Sequence, residues 1–129
     1  MAELTVIDSD ILISHIRGHS GATEWLLEAR QQGPLHISIM SIVEITGGMR
    51  SAERGQVRGL LAALHTQPVT EAIARRAGEH MRTYRASHQG ISASDYVIAA
   101  TAELSDARLA TLNVKHFPMF AGLRPPFKM

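Results

Sequence analysis

Five side chains in this sequence could do oxygen-ligand chemistry: Asp8, Asp10, Glu44, Asp95 and Asn113. Asp8 ends the apolar run Leu4-Thr5-Val6-Ile7, and a second apolar run, Ile11-Leu12-Ile13, follows at once. Glu44 stands three residues after Ser41, and Asp95 three residues after Ser92. Carboxylates in a first helical turn are held ionised by the helix dipole and by free backbone N–H groups. They are then hard oxygen ligands, suited to Mg²⁺ or Mn²⁺. The same residues have a plainer use. Ser9 or Asp10 could cap the first helix, and Ser41–Glu44 and Ser92–Asp95 both have the form of a capping box. Asn113 could be a turn residue, a neutral oxygen ligand, or a partner that holds a metal-bound water. Asp10 is expected to be a cap or an outer residue of the site. Sequence alone leaves both readings open for each.

The elements that must position these groups alternate between strand and helix. Leu4–Ile7 is short and β-branched, as a buried strand should be. A helix is expected from Asp10 to Arg17, ended by Gly18. Another starts near Gly21, with Trp25, Leu26 and Ala29 on one face, and ends at Gly33-Pro34. Leu35–Met40 reads as a second strand. A third helix follows Ser41 and fades at Gly47-Gly48. A fourth begins near Ala52, with Val57, Leu60, Leu61 and Leu64 on its apolar face. Gln67–Val69 is expected as a short third strand. Thr70 caps a long helix to about Ser87, with Ile73, Ala77, Met81 and Tyr84 inward. A sixth helix runs from Asp95 to about Leu104, Arg108–Thr111 is the fourth strand, and an edge strand is expected near Gly122–Arg124. This order favours a parallel sheet with helices on both faces. In such a sheet Asp8 and Asn113 lie at the carboxyl edge, where ligands bind.

Composition narrows the function. The chain has 129 residues, enough for one domain, with 45% hydrophobic and 19% charged residues and a formal charge of +1. It contains no cysteine, so a thiolate metal site is excluded. No H-E-x-x-H pair suggests zinc, and no glycine-rich phosphate loop suggests a nucleoside triphosphate enzyme. No apolar run is long enough for a membrane span and no export signal is evident, so a cytoplasmic location is expected. The seven histidines are scattered, and His116 reads as structural or near the substrate. A receiver-domain reading fails, because no Asp occurs between Asp10 and Asp95.

Four segments in order resemble a known family. They are Val6-Ile7-Asp8-Ser9-Asp10-Ile11-Leu12-Ile13, Ser38-Ile39-Met40-Ser41-Ile42-Val43-Glu44-Ile45-Thr46-Gly47-Gly48, Ala93-Ser94-Asp95-Tyr96-Val97-Ile98-Ala99-Ala100-Thr101-Ala102, and Leu109-Ala110-Thr111-Leu112-Asn113-Val114-Lys115-His116-Phe117. Together they resemble PIN-domain endoribonucleases of the VapC type, the toxin half of type II toxin–antitoxin pairs. The resemblance implies a single PIN domain over residues 1–129, a three-layer α/β/α sandwich with a small, mostly parallel sheet. It implies Mg²⁺ (or Mn²⁺) held by Asp8, Glu44 and Asp95, which are then the catalytic residues, with Asn113, Ser9 and Thr111 as weak or outer ligands. Many members carry an acid where this chain has Asn113, so the number of metals stays open. The implied activity is cleavage of single-stranded or looped RNA by metal-activated water. The alternative is a non-catalytic PIN-like module that binds RNA or protein; such modules usually lose one or more acids. Arg50, Arg54 and Lys115 are candidate RNA contacts, with a solvated face as their plainer reading. The implied partners are RNA, a cognate antitoxin and a second copy. Surplus apolar surface on the helices after Ala52 and Thr70 would fit a homodimer.

Overall fold

A computed structural model describes residues 4–129. Four strands, β1 (Thr5–Ile7), β2 (Leu35–Ser38), β3 (His65–Gln67) and β4 (Arg108–Ala110), pair in the order β3-β2-β1-β4, all parallel. Six helices connect them: α1 (Ser9–Ile16), α2 (Ser20–Gln32), α3 (Ile39–Gly48), α4 (Arg54–Ala62), α5 (Glu71–Tyr84) and α6 (Ala93–Leu104).

The apolar run before Asp8 is continuous because the sheet is covered on both faces. Successive strand residues point to opposite sides. Ile7 packs with Ile11, Leu12, Leu26, Ile45 and Val57 of the first four helices. Val6, on the other face, packs with Ile98, Ala99 and Ala102 of α6. Helix α5 lies outside α6, with Ile73 and Ala77 against Tyr96 and Ala100. Glu103 of α6 ties the pair together, accepting from Arg76 through both carboxylate oxygens (3.3 and 3.2 Å) and meeting His80.

Several boundaries differ from the sequence reading. The third strand lies at His65–Gln67, two residues earlier than expected. His65 pairs with His36 and Gln67 with Ser38. The next residue, Pro68, has no N–H to extend the ladder. Helix α1 is capped by Asp8, not by Ser9 or Asp10: its side chain accepts from Ser9 N. Helix α3 starts before Ser41, because Ser38 is the cap and accepts from Met40 N at 3.1 Å. Ser41 is therefore buried inside the helix, and the Ser41–Glu44 capping box does not form. The Ser92–Asp95 box does form, with both reciprocal bonds present. Among the described residues no strand forms at 122–124, where Gly122 takes φ +74° and two prolines follow. Among the described residues, the large apolar side chains left exposed are Leu27, Ile39, Val43 and Leu104, with Met129 at the C-terminus. None is on α4 or α5, so the surplus expected on those helices is not there.

Candidate active site

The parallel register builds the site. Ile7 pairs with Ala110, and Asp8 N–H donates to Ala110 O at 2.9 Å. The residues just past the two strand ends, Asp8 and Thr111, are thereby placed side by side. Thr111 Oγ1 donates to Asp8 Oδ2 at 2.7 Å and lies 3.2 Å from Asp10 Oδ2. A hydroxyl has one hydrogen, so the shorter contact takes it. Asp10 Oδ2 receives the Leu112 N–H instead, at 2.9 Å. Asp10 thus ties α1 to the chain after β4, while its Oδ1 is buried with no hydrogen-bond partner among the described residues.

Glu44 reaches the same strand end from α3. Ser9 Oγ donates to Glu44 Oε1 at 2.9 Å, and Ser9 N–H donates to Asp8 Oδ1 at 2.8 Å. One serine therefore bridges two acids, which makes Ser9 a supporting residue of the site. Asp95 comes from the first turn of α6. Its Oδ2 accepts from Ser92 N–H at 3.0 Å and lies 3.1 Å from His116 Nδ1. Asn113 uses its backbone N–H on Thr111 Oγ1 (3.0 Å) and its side-chain amide on His116 (2.8 Å).

Electrostatics mark Asp8 as the unusual member. It is 5% exposed, and its carboxyl is pushed up to about 7. Burial is the main cause, followed by the charge of Asp10; the Thr111 bond opposes the rise, and Asp95 and Glu44 add to it. Burial also pushes Asp10 up, against the Leu112 and Thr111 bonds. Among the described residues, no Arg or Lys forms an ion pair with Asp8, Asp10, Glu44 or Asp95. The site is an all-oxygen, negative set that no Arg or Lys among the described residues balances, and a hard divalent cation fits it. Glu44 Oε2 and Asp95 Oδ1 accept no hydrogen bond from the described residues. Still, among those residues no three acidic or histidine side chains are grouped closely enough to hold an ion by themselves. The expected three-carboxylate cluster is therefore looser than sequence suggested. Mg²⁺ commonly takes one or two carboxylates and keeps several waters, so such a set suits it.

Of the candidate RNA contacts, Arg50, Arg54 and Lys115 are all exposed. A groove of about 850 Å³ lies elsewhere, at the amino ends of β1 and β4, lined by Thr5, Trp25, Arg108, Phe120 and Pro126. It contains none of Asp8, Asp10, Glu44 and Asp95.

Thr111→Val tests the hub. The variant leaves Asp8 Oδ2 without its side-chain donor and Asn113 N–H without its acceptor. A loss of about 1–3 kcal/mol in urea unfolding is expected, the usual result of stranding buried polar groups. Unchanged stability would mean that Thr111 does not hold the acids.

Comparison with known proteins decides the family. The PIN-domain model matches residues 5–121. The chain belongs to the PIN-domain family. Within that family it is a VapC-type PIN domain. It is 57% identical over 124 residues to Ribonuclease VapC10 of Mycobacterium tuberculosis, covering 96% of this chain and 93% of the relative. It is 41% identical over 126 residues to Ribonuclease VapC19 of the same organism, covering 96% and 100%. Solved structures share the fold. A toxin–antitoxin complex from Klebsiella pneumoniae superposes with a TM-score of 0.80 at 24% identity, covering 97% of this chain and 99% of that one. VapBC2 from Rickettsia felis, bound to a promoter DNA fragment, gives 0.79 at 19% identity, covering 93% and 95%. The three-layer PIN sandwich expected from the sequence is the fold observed.

Sequence reading missed two links in this PIN domain: the Asp10–Leu112 bond and the contact of His116 with Asp95. A histidine three residues after Asn113 was visible, but nothing local in the sequence pairs it with Asp95.

Proposed function

We propose that this chain is the toxin of a type II toxin–antitoxin pair, an Mg²⁺- or Mn²⁺-dependent endoribonuclease acting on single-stranded or looped RNA. The observation that carries the reading is the buried, uncompensated acid group at the carboxyl end of β1. Such a group costs stability unless it serves a cation. The names of the 57% and 41% identical relatives support the ribonuclease assignment. Complete retention of Asp8, Glu44 and Asp95 speaks against a binding-only module.

Asp8, Glu44 and Asp95 would hold the ion, with water completing the shell. A bound Mg²⁺ or Mn²⁺ would act as a Lewis acid toward the scissile phosphate and lower the pKa of a water. The chain's own residues prepare for this. Thr111 and Ser9 fix the two oxygens of Asp8, Ser9 also fixes Glu44, and Ser92 orients Asp95. The exposed Arg50, Arg54 and Lys115 would meet the RNA backbone by charge, which sets affinity more than sequence choice.

The proposed partners are RNA, a cognate antitoxin and a second copy of the chain. The antitoxin is supported by the structural neighbours, which are toxin–antitoxin complexes. For the homodimer, Ile39 and Val43 stand one turn apart on α3, 43% and 61% exposed. Apolar residues so placed suit a symmetric contact. Among the described residues no helix is long and apolar enough to cross a membrane. The test is cleavage of single-stranded and hairpin RNA by the purified chain in Mg²⁺ or Mn²⁺, with sedimentation at high micromolar concentration. Cleavage by a dimer is expected. No cleavage in either metal would overturn the enzyme reading, and a strictly monomeric profile would overturn the homodimer.

A further inference from the structure

His116 lies against the site without belonging to the acid set. Its Nδ1 is 3.1 Å from Asp95 Oδ2 and 2.8 Å from the Asn113 side-chain amide nitrogen. An ionised carboxylate only accepts, so the contact with Asp95 is satisfied only if Nδ1 carries the proton. The Asn113 amide then turns its oxygen toward the ring, an orientation set by the hydrogen-bond network, and the single Nδ1–H is shared between the two acceptors, of which the charged Asp95 carboxylate is the stronger. With Ser92 N–H on the same atom at 3.0 Å, Asp95 Oδ2 has two protein donors and Oδ1 has none among the described residues. The carboxylate is therefore held by one oxygen and left open by the other.

The ring is held by its surroundings. His116 closes a 3-10 turn through its N–H to Asn113 O at 3.0 Å. The next residue, Phe117, is 1% exposed and packs in the core against Val6 and Ile98. Gly90 lies over the opposite ring nitrogen: a Cβ built there would be 3.9 Å from His116 Nε2. The side chain is 25% exposed, enough to border the crevice without floating in it.

We propose that His116 is a positioning residue: it donates through Nδ1 to Asp95 Oδ2 and so fixes Oδ1 as the single oxygen that Asp95 offers to the divalent cation. This rests on the metal-dependent reading above. Outer partners of metal ligands typically change metal affinity by about 10–100-fold when removed. Asn can present an amide N–H close to where imidazole Nδ1–H sits, so the role is separable from mere filling of space.

The experiment is Mn²⁺ titration of the full chain, followed by the electron paramagnetic resonance signal of free Mn²⁺, for wild type, His116→Ala and His116→Asn. Metal-free unfolding curves are measured on the same three proteins. The expected result is Mn²⁺ binding weakened about tenfold or more in His116→Ala and within about threefold of wild type in His116→Asn. The two variants should be similarly stable without metal. Wild-type Mn²⁺ affinity in His116→Ala, or equal weakening in both variants, would overturn the positioning role while leaving the metal site standing. Absence of Mn²⁺ binding by wild type would overturn the metal reading, and the positioning role with it.

Discussion

Asp8→Asn is expected to abolish RNA cleavage and to make the metal-free protein more stable at pH 8. The two effects have one cause. The folded-state carboxyl lies at about 7, above its ordinary 3.8, chiefly through burial and then through Asp10. A group whose folded pKa is raised contributes stability that is fully present below its unfolded pKa. That contribution is lost as pH rises through the folded value. For Asp8 the loss runs from about pH 4 to about pH 7. Above that window the wild type carries a buried charge that no Arg or Lys among the described residues balances. Asparagine keeps the shape and removes the charge. A gain of about 1–3 kcal/mol at pH 8 is expected, shrinking toward pH 5, where Asp8 in the wild type is already largely protonated. Denaturant unfolding in EDTA at both pH values measures it. A variant less stable than wild type at pH 8 would contradict the claim that Asp8 is uncompensated. Cleavage should fall by about 10²-fold or more, since the lost charge is one the reaction needs.

Asp95→Asn separates the two uses of an acid that both caps and ligates. The carbonyl oxygen of asparagine can still accept from Ser92 N–H and His116, so α6 should keep its start. Capping changes of this kind cost about 0.5–2 kcal/mol at most. The amide nitrogen, however, would replace Oδ1, offering a donor where a ligand oxygen is required. A drop of about 10²–10³ in single-turnover cleavage is expected, with the far-ultraviolet circular dichroism unchanged. A small loss of activity would return Asp95 to the role of a helix cap.

Much of this was legible in the sequence because the local signals and the topology agree. The run before Asp8 could be read as a doubly buried strand, and the Ser92–Asp95 spacing announced the start of α6. The alternation of strands and helices placed Asp8 and Asn113 at the carboxyl edge of a parallel sheet. Errors arose where two residues competed for one task. Ser41–Glu44 has the form of a capping box, yet Ser38, at the end of β2, takes the capping task of α3. The third strand ends two residues before the expected Val69, because Pro68 has no N–H to continue the pairing. The Asp10–Leu112 bond joins residues 102 positions apart. It depends on the register of β1 against β4, which no local pattern encodes. The Asp95–His116 contact is hidden for the same reason, since α6 and the turn after β4 meet only through the sheet.

The most direct test of the central claim is end-group analysis of single-turnover RNA cleavage in Mg²⁺, in Mn²⁺ and in EDTA. Products with a 5′-phosphate and a 3′-hydroxyl are expected in either metal, with no cleavage in EDTA, because among the described residues only one histidine, His116, bonds to the site acids, and those acids need a cation. Products ending in a 2′,3′-cyclic phosphate, or cleavage unchanged by EDTA, would contradict the account and leave the acids as caps and hydrogen-bond acceptors alone.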